Sequence, residues 1–216
     1  MKVALIGIGQ AGGKLTQALR EFDREAGFGA VRSTLAVNTA EPDLQSLDIE
    51  TMLVGRDRVN GHGVGGDNEL GAEILQAEAT EVLDRLDDAI TTEVEAIFVV
   101  AGLGGGTGSG GAPAVARRLR EVYDRPVYAL GILPGRDEGS MYAANAGRSL
   151  KTLVSETDAV LLVDNDAWHT SGESVGEAFD AINQRVARRV GLLLAAGEAT
   201  EGVGESVVDS SEVINT

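Results

Sequence analysis

Apolar positions along this chain gather into six short runs rich in branched residues. They are "KVALIGI" (2–8), "STLAVN" (33–38), "ETMLVG" (50–55), "EAIFVVA" (95–101), "PVYALGIL" (126–133) and "DAVLLVD" (158–164). Each is short and nearly free of polar interruption, the pattern of a strand buried on both faces. Between them apolar residues recur at helical spacing, near 11–26, 68–90, 110–123, 140–156 and 174–196. Strand and helix alternating in this way predict an α/β fold, a parallel sheet covered by helices on both faces. No internal repeat, low-complexity segment or linker interrupts the pattern. The expected organisation is one domain over 1–197 followed by a short tail, 198–216.

Composition narrows the class. Of 216 residues 43% are apolar, enough for a sizeable core, and no run approaches the roughly 18 apolar residues of a membrane span. The opening "MKVALIGIG" is too short for a signal-peptide core and reads as the first strand. There is no cysteine, which excludes disulfides and thiolate chemistry. A soluble, cytoplasmic protein is expected. The net charge of −16 argues against non-specific binding to nucleic acid and against insertion into or adhesion to anionic membranes. Lysine is scarce, with Lys2, Lys14 and Lys151 against fifteen arginines. A dispersed acidic surface poor in lysine fits a protein of a halophilic organism, where salt screens the self-repulsion.

Glycine changes the picture most. The chain holds 29, about twice ordinary usage, and seven lie between Gly102 and Gly111. Glycine or small polar residues follow every predicted strand: "GIGQAGGK" (7–14), "NTAE" (38–41), "GHGVGGDNELG" (61–71), "GLGGGTGSG" (102–110), "LPGRDEG" (133–139) and "DNDAW" (164–168). In open parallel sheets ligands bind at the carboxyl ends of strands, so these segments converge on one edge. Gly7, Gly9 and Gly12 fit the dinucleotide spacing G-x-G-x-x-G. A nicotinamide-dependent oxidoreductase with a Rossmann fold would also need an acid ending the second strand, where Asn38 and Thr39 stand. "GGGTGSG" (104–110) lacks the lysine of a P-loop. Its glycines can present successive backbone N–H groups, a helix starting near Gly108 adds a partial positive charge, and Thr107 and Ser109 add hydroxyl donors. That is an anion site built from backbone, suited to a polyphosphate partly neutralised by a metal ion.

"GGGTGSG" resembles the signature of the tubulin and FtsZ family of GTPases. "GIGQAGG" resembles its first nucleotide loop, "GHGVGGDNELG" the third loop of FtsZ and "LPGRDEG" the fifth. "NDAW" is similar to the loop ending the sixth strand, and "EAFDAIN" (177–183) to the start of the central helix. The order matches along nearly the whole chain, and the acidic, lysine-poor surface with "VVDSSEVINT" at the end looks most like the archaeal CetZ branch. The resemblance implies a three-layer, Rossmann-like nucleotide-binding domain taking GTP or GDP with Mg²⁺ held by phosphates and water. It also implies head-to-tail filaments serving as a cytoskeleton that sets cell shape or division.

The resemblance places Gly9, Gln10, Ala11 and Gly12 against the α- and β-phosphates, with Gln10 orienting a metal-bound water. Gly104, Gly105, Gly106, Thr107, Gly108 and Ser109 form the phosphate wrap, and Gly65, Gly66 and Asp67 a loop near the γ-phosphate. Asp67, being acidic, is expected to face metal or solvent. Asn38 joins the site at the second strand's end. Glu138 is implied to accept from the ribose hydroxyls, while Asn165 and Asn183 read the guanine edge. Phe179, four residues before Asn183, shares its helix face and stacks on the base. Tyr142 stands where FtsZ carries an arginine, so Arg136 or Arg148 would have to supply that cation. His62 and His169 are not spaced as metal ligands and are expected on loops, and no protein-only metal site is expected.

The tail completes the implied chemistry. In "GESVVDSSEVINT" (204–216), Asp209 and Glu212 fall on one face of any helix beginning there. The segment resembles the family's catalytic loop, in which these acids polarise water at the nucleotide of the next subunit. FtsZ has an asparagine where Val207 stands. The family's second domain would follow the end of this chain. A nucleotide-binding regulator that neither hydrolyses nor polymerises is the alternative expectation.

Overall fold

The computed structural model describes residues 1–87, 90–168 and 175–196. Six strands, β1 (Val3–Ile8), β2 (Val31–Asn38), β3 (Glu50–Leu53), β4 (Ala96–Gly102), β5 (Val127–Leu133) and β6 (Ala159–Asp164), form a parallel sheet in the order 3-2-1-4-5-6. The helices are α1 (Gly9–Ala26), α2 (Glu41–Gln45), α3 (Arg56–Val59), α4 (Asn68–Ala77), α5 (Ala79–Asp87), α6 (Gly106–Val122), α7 (Ser140–Glu156) and α8 (Val175–Ala195). Alternate residues of the central strands enter two separate cores. Val3, Leu5, Phe98 and Val100 pack under α1 and α8 with Leu15, Leu19, Ile182 and Val190. Ile6, Ile8, Ile97 and Val99 pack on the other face with Ile74, Leu75, Val115, Leu119 and Leu153 from α4, α6 and α7. A strand buried on both sides has no polar alternation, which is why the runs of β1, β4 and β5 are continuous; the edge strands β3 and β6, expected to be buried as well, are only partly so, with Leu162 47% exposed.

The boundaries differ from expectation where tertiary contacts outweigh local pattern. The expected helix over 68–90 is two, broken at Glu78, whose carboxylate accepts from the Gly55 amide at 2.8 Å. β2 starts two residues early because buried Asp23, on α1, accepts from the amides of Ala30 and Val31 at 2.9 and 3.2 Å. β3 stops at Leu53, two residues short of the expected run, because Gly55 takes a left-handed conformation at φ +67° and turns the chain into α3.

The largest difference is α6, which begins at Gly106 and takes in four glycines that local propensity would keep out of a helix. Packing supplies the reason. A Cβ at Gly110 would coincide with the Asn68 carbonyl oxygen and stand 2.7 Å from the Ala72 amide nitrogen. One at Gly111 would meet Leu75 Cγ at 2.6 Å. The backbones of α4 and α6 therefore touch, and glycine alone permits it.

On the outer side of that face α6 and α7 are joined by Arg117 and Glu156, with Nη2 to Oε1 at 2.8 Å. The hydrogen bond and charge of Arg117 hold the Glu156 carboxyl below its usual pKa, and Glu156 raises that of the guanidinium in turn. A carboxylate with a lowered folded pKa contributes stability above its unfolded value and loses it as pH falls through the folded one. Glu156→Gln is therefore expected to lower unfolding stability by about 0.2–1 kcal/mol at neutral pH. The difference from the unmodified protein should close as pH drops below about 4.3, the ordinary glutamate value, followed by thermal melts across pH. A gap unchanged at pH 3 would show that the pair's charge is not its cause. Among the described residues no helix is long and apolar enough to cross a membrane.

Candidate functional site

The strand order reverses between β1 and β4, so their connections leave toward opposite faces and open a crevice at the sheet's carboxyl edge. A cavity of about 450 Å³ occupies it, within the range of small-ligand sites. Two helices begin at its wall. α1 starts directly after β1 at Gly9, held at φ +74°, and α6 starts four residues after β4 with Gly105 as its cap. Neither N-cap residue, Ile8 or Gly105, has a side chain that accepts from a first-turn amide. The first-turn amides of both helices have no intrahelical acceptor, and their dipoles make this end of the cavity an anion site.

Most expected residues line this cavity: Gly9, Gln10, Ala11, Asn38, Gly65, Gly66, the run Gly104 to Gly108 including Thr107, then Glu138, Tyr142, Asn165, Phe179 and Asn183. Three do not. Gly12 turns inward, where a Cβ would strike the Val100 carbonyl, so it serves the packing of α1 on β4. Ser109 is buried within α6, its Oγ without a hydrogen-bond partner, one residue too far along the helix to reach the cavity. Asp67 caps α4 instead, Oδ1 accepting from the amides of Glu69 and Leu70 at 3.1 and 3.0 Å, the favoured place for an acid at a helix start. Asp209, Glu212, Val207 and His169 lie outside the described residues.

Neither arginine weighed as a replacement cation lines the cavity. Arg136 is 94% exposed and faces Asp166 at 3.3 Å, and Arg148 is exposed on α7. Among the described residues the Lys or Arg on the cavity wall is Lys14, whose Nζ lies 3.9 Å from Asp180 Oδ1. His62 also lines the cavity, from a loop.

Sequence reasoning missed the residues that hold the loops together. Asn145, only 4% exposed, donates through Nδ2 to the carbonyls of Gly66 at 2.8 Å and Gly104 at 2.9 Å, tying two glycine loops to α7. Thr39 and Thr107 share a buried hydroxyl contact of 2.7 Å that joins the end of β2 to the start of α6. Asp43 receives the amide of Gln10 at 2.9 Å and that of Asn38 at 3.0 Å. These are isolated polar residues inside helical or turn sequence, and no spacing marked them.

At the cavity's other end Glu138 Oε1 accepts from the Gly135 amide at 2.7 Å and from Asn165 Nδ2 at 3.4 Å, leaving Oε2 for a hydroxyl. Phe179 and Asn183 lie one turn apart on α8 and both line the wall. The cavity thus carries donors at one end and, at the other, an aromatic ring with amides that both give and accept. Among the described residues no three His, Asp or Glu side chains could hold a metal ion by themselves.

Residues 2–173 match the family model "Tubulin/FtsZ family, GTPase domain", and 172–216 match "Tubulin-like CetZ, C-terminal domain". The tubulin-like protein CetZ2 of Haloferax volcanii is 69% identical over 216 residues. The chain is covered completely and spans 60% of that relative's length. A solved CetZ2 from the same organism, a GTPγS-bound protofilament, superposes with a TM-score of 0.92 at 66% identity, over the whole chain and 63% of that structure. A GDP-bound CetZ1 monomer gives 0.89 at 50% identity, over the whole chain and 64% of that structure. An empty FtsZ dimer from M. jannaschii gives 0.80 at 26% identity, over 98% of the chain and 59% of that structure. The chain belongs to the tubulin/FtsZ family, and its likeness within that family is to the archaeal CetZ branch.

Proposed function

We propose that this chain binds guanine nucleotide in the cavity at the β1–β4 crevice and, as part of a head-to-tail filament, hydrolyses GTP to GDP and phosphate in the cytoplasm. The observation that carries the reading is the convergence of two uncapped helix N-termini on one wall, with Phe179 and Asn183 at the far end. The phosphates take N–H bonds from the first turns of α1 and α6 and from the loop at Gly65 and Gly66. Glu138 accepts from the ribose hydroxyls. The base stacks on Phe179, and Asn165 and Asn183 meet its donors and acceptors.

Mg²⁺ fits the residues present, since Asp43 and Gln10 offer oxygen ligands of the kind this ion takes directly or through its waters. It would be held chiefly by the phosphates and by water, and would neutralise their charge. Among the described residues the two acids lining the cavity are both engaged, Asp43 by two side-chain amides and Glu138 by the Gly135 amide. Water activation is assigned to Asp209 and Glu212 of the neighbouring copy, as the family resemblance implies. A contact of unlike surfaces that does not close on itself generates a filament. The nucleotide-binding domain is read as 1–197, and the segment from 198 as the catalytic loop.

The test is the nucleotide released from the purified full-length protein, followed by turnover against protein concentration in molar salt. Guanine nucleotide and a specific rate that climbs with concentration are expected; bound NAD, or no guanine nucleotide, sinks the reading. Asp209→Ala should lower turnover by about 10²- to 10⁴-fold, the usual worth of a general base, with nucleotide still bound. Loss of binding in that variant would show the assignment to be wrong.

A further inference from the structure

An acid in an anion site calls for a reason, and Asp43 is one. It lines the cavity from α2, next to the first turn of α1. Unit negative charges a few ångströms apart repel by about 4 kcal/mol near a protein surface, so a phosphate would not lie against this carboxylate unaided. The carboxylate is also fully committed in direction. Oδ1 accepts from Gln10 Nε2 at 2.9 Å and Oδ2 from Asn38 Nδ2 at 3.0 Å. A carboxylate can only accept, so neither amide can reverse without setting oxygen against oxygen. Asn38 has no freedom left, because its Oδ1 takes the Thr39 amide at 2.8 Å. Gln10 is exposed on the cavity wall, and its remaining acceptor is Oε1.

Resting on the nucleotide reading above, we infer that Asp43 is the positioning residue that orients Gln10 and Asn38. It thereby gives the β2 side of the phosphate end a wall of oxygen acceptors for the water shell of a divalent cation. The two helix N-termini supply donors, which suit phosphate oxygens. The wall at Asp43 and Gln10 supplies acceptors, which suit the protons of metal-bound water and repel phosphate. The nucleotide then lies with its charge toward α6 and its hydrated cation toward α2. The same arrangement gives the carboxylate's charge a counterpart that Lys14, facing Asp180, does not provide.

The experiment measures GTP affinity of the full-length protein by calorimetry, with Mg²⁺ and separately with EDTA, for the unmodified protein and Asp43→Asn. The magnesium-dependent gain in affinity should fall by about 10- to 100-fold, the range seen when an outer partner of a metal ligand is removed. Affinity in EDTA should hold or rise, because a repelling charge has gone. Equal weakening in both conditions, or no change in either, overturns the role of Asp43 while leaving nucleotide binding intact. No GTP uptake by the unmodified protein overturns the nucleotide reading and this one with it. Gln10→Ala provides an independent arm. It should show the same magnesium-specific loss, and the double variant should lose no more than Gln10→Ala alone. Additive losses would mean the two residues act separately.

Discussion

Gly110→Val is expected to lower the melting temperature by more than about 6–12 °C, as a cost above roughly 3 kcal/mol does in a domain of this size. Extra methyl groups in a core usually cost about 1–3 kcal/mol, because neighbouring side chains turn aside. No side chain stands in the way here. The obstacles are the carbonyl of Asn68 and the amide nitrogen of Ala72, backbone atoms of α4 that move only if the helix moves. α4 follows directly on the loop carrying Gly65 and Gly66, so displacing it also opens the phosphate end of the cavity. Weaker nucleotide binding should accompany the lower melt. Gly147→Ala is the control: its Cβ would enter open space on α7, and replacing an exposed helical glycine should stabilise by roughly 0.5–1 kcal/mol. Circular dichroism melts of both variants decide the matter. Similar small effects would mean that α4 and α6 do not meet through their backbones.

The second large effect is expected at Asn145. Its two N–H groups each satisfy a carbonyl, of Gly66 and of Gly104, in a nearly buried position. Asn145→Asp keeps the shape but sets a carboxylate against two carbonyl oxygens. An uncompensated buried charge costs about 3–5 kcal/mol, and the loss ends only if the group protonates or swings out. Either escape separates the two glycine loops. Guanine-nucleotide affinity should fall by tenfold or more, since about 1.4 kcal/mol of misplacement suffices for that. Asn145→Ala removes the bonds without adding charge, so its loss should be smaller, near the 1–3 kcal/mol of unsatisfied buried acceptors. Titrations with labelled nucleotide, alongside melts, separate the two. An aspartate variant that binds as tightly as the unmodified protein would show that the loops keep their places without this link.

Much of this site is written in the chain because its main components repeat. Six apolar runs, each followed by glycine or small polar residues, locate one edge of one sheet, and the structure puts the cavity there. The glycine run was legible as a concentration of bare backbone but not in its division of labour. Gly104, Gly105, Gly106 and Gly108 line the cavity, whereas Gly110 and Gly111 face α4. The direction a glycine faces depends on where the helix begins, and propensity placed that start too late. Asn145, Asp43 and Thr39 were invisible for a different reason. Each acts by a single long-range bond pattern, and a lone polar residue looks the same whether it faces water or ties two loops. Asp67 was expected to face metal or solvent; that it caps α4 was not legible, because a capping acid and a loop acid look alike in sequence.

The sheet order has a consequence for how the chain is made. β1, made before the other five strands of this sheet, ends as a central strand flanked by β2 and β4, and Val3 is in register with Ala96. At roughly 5–20 residues per second, it waits about 5–20 s for its second partner to be synthesised. Through that interval one edge of a fully apolar strand stays open, with its neighbour supplied only by β2. Parallel pairing across such separations is intrinsically slow. The middle of this molecule, its most buried part when finished, is thus the part whose birth is longest exposed.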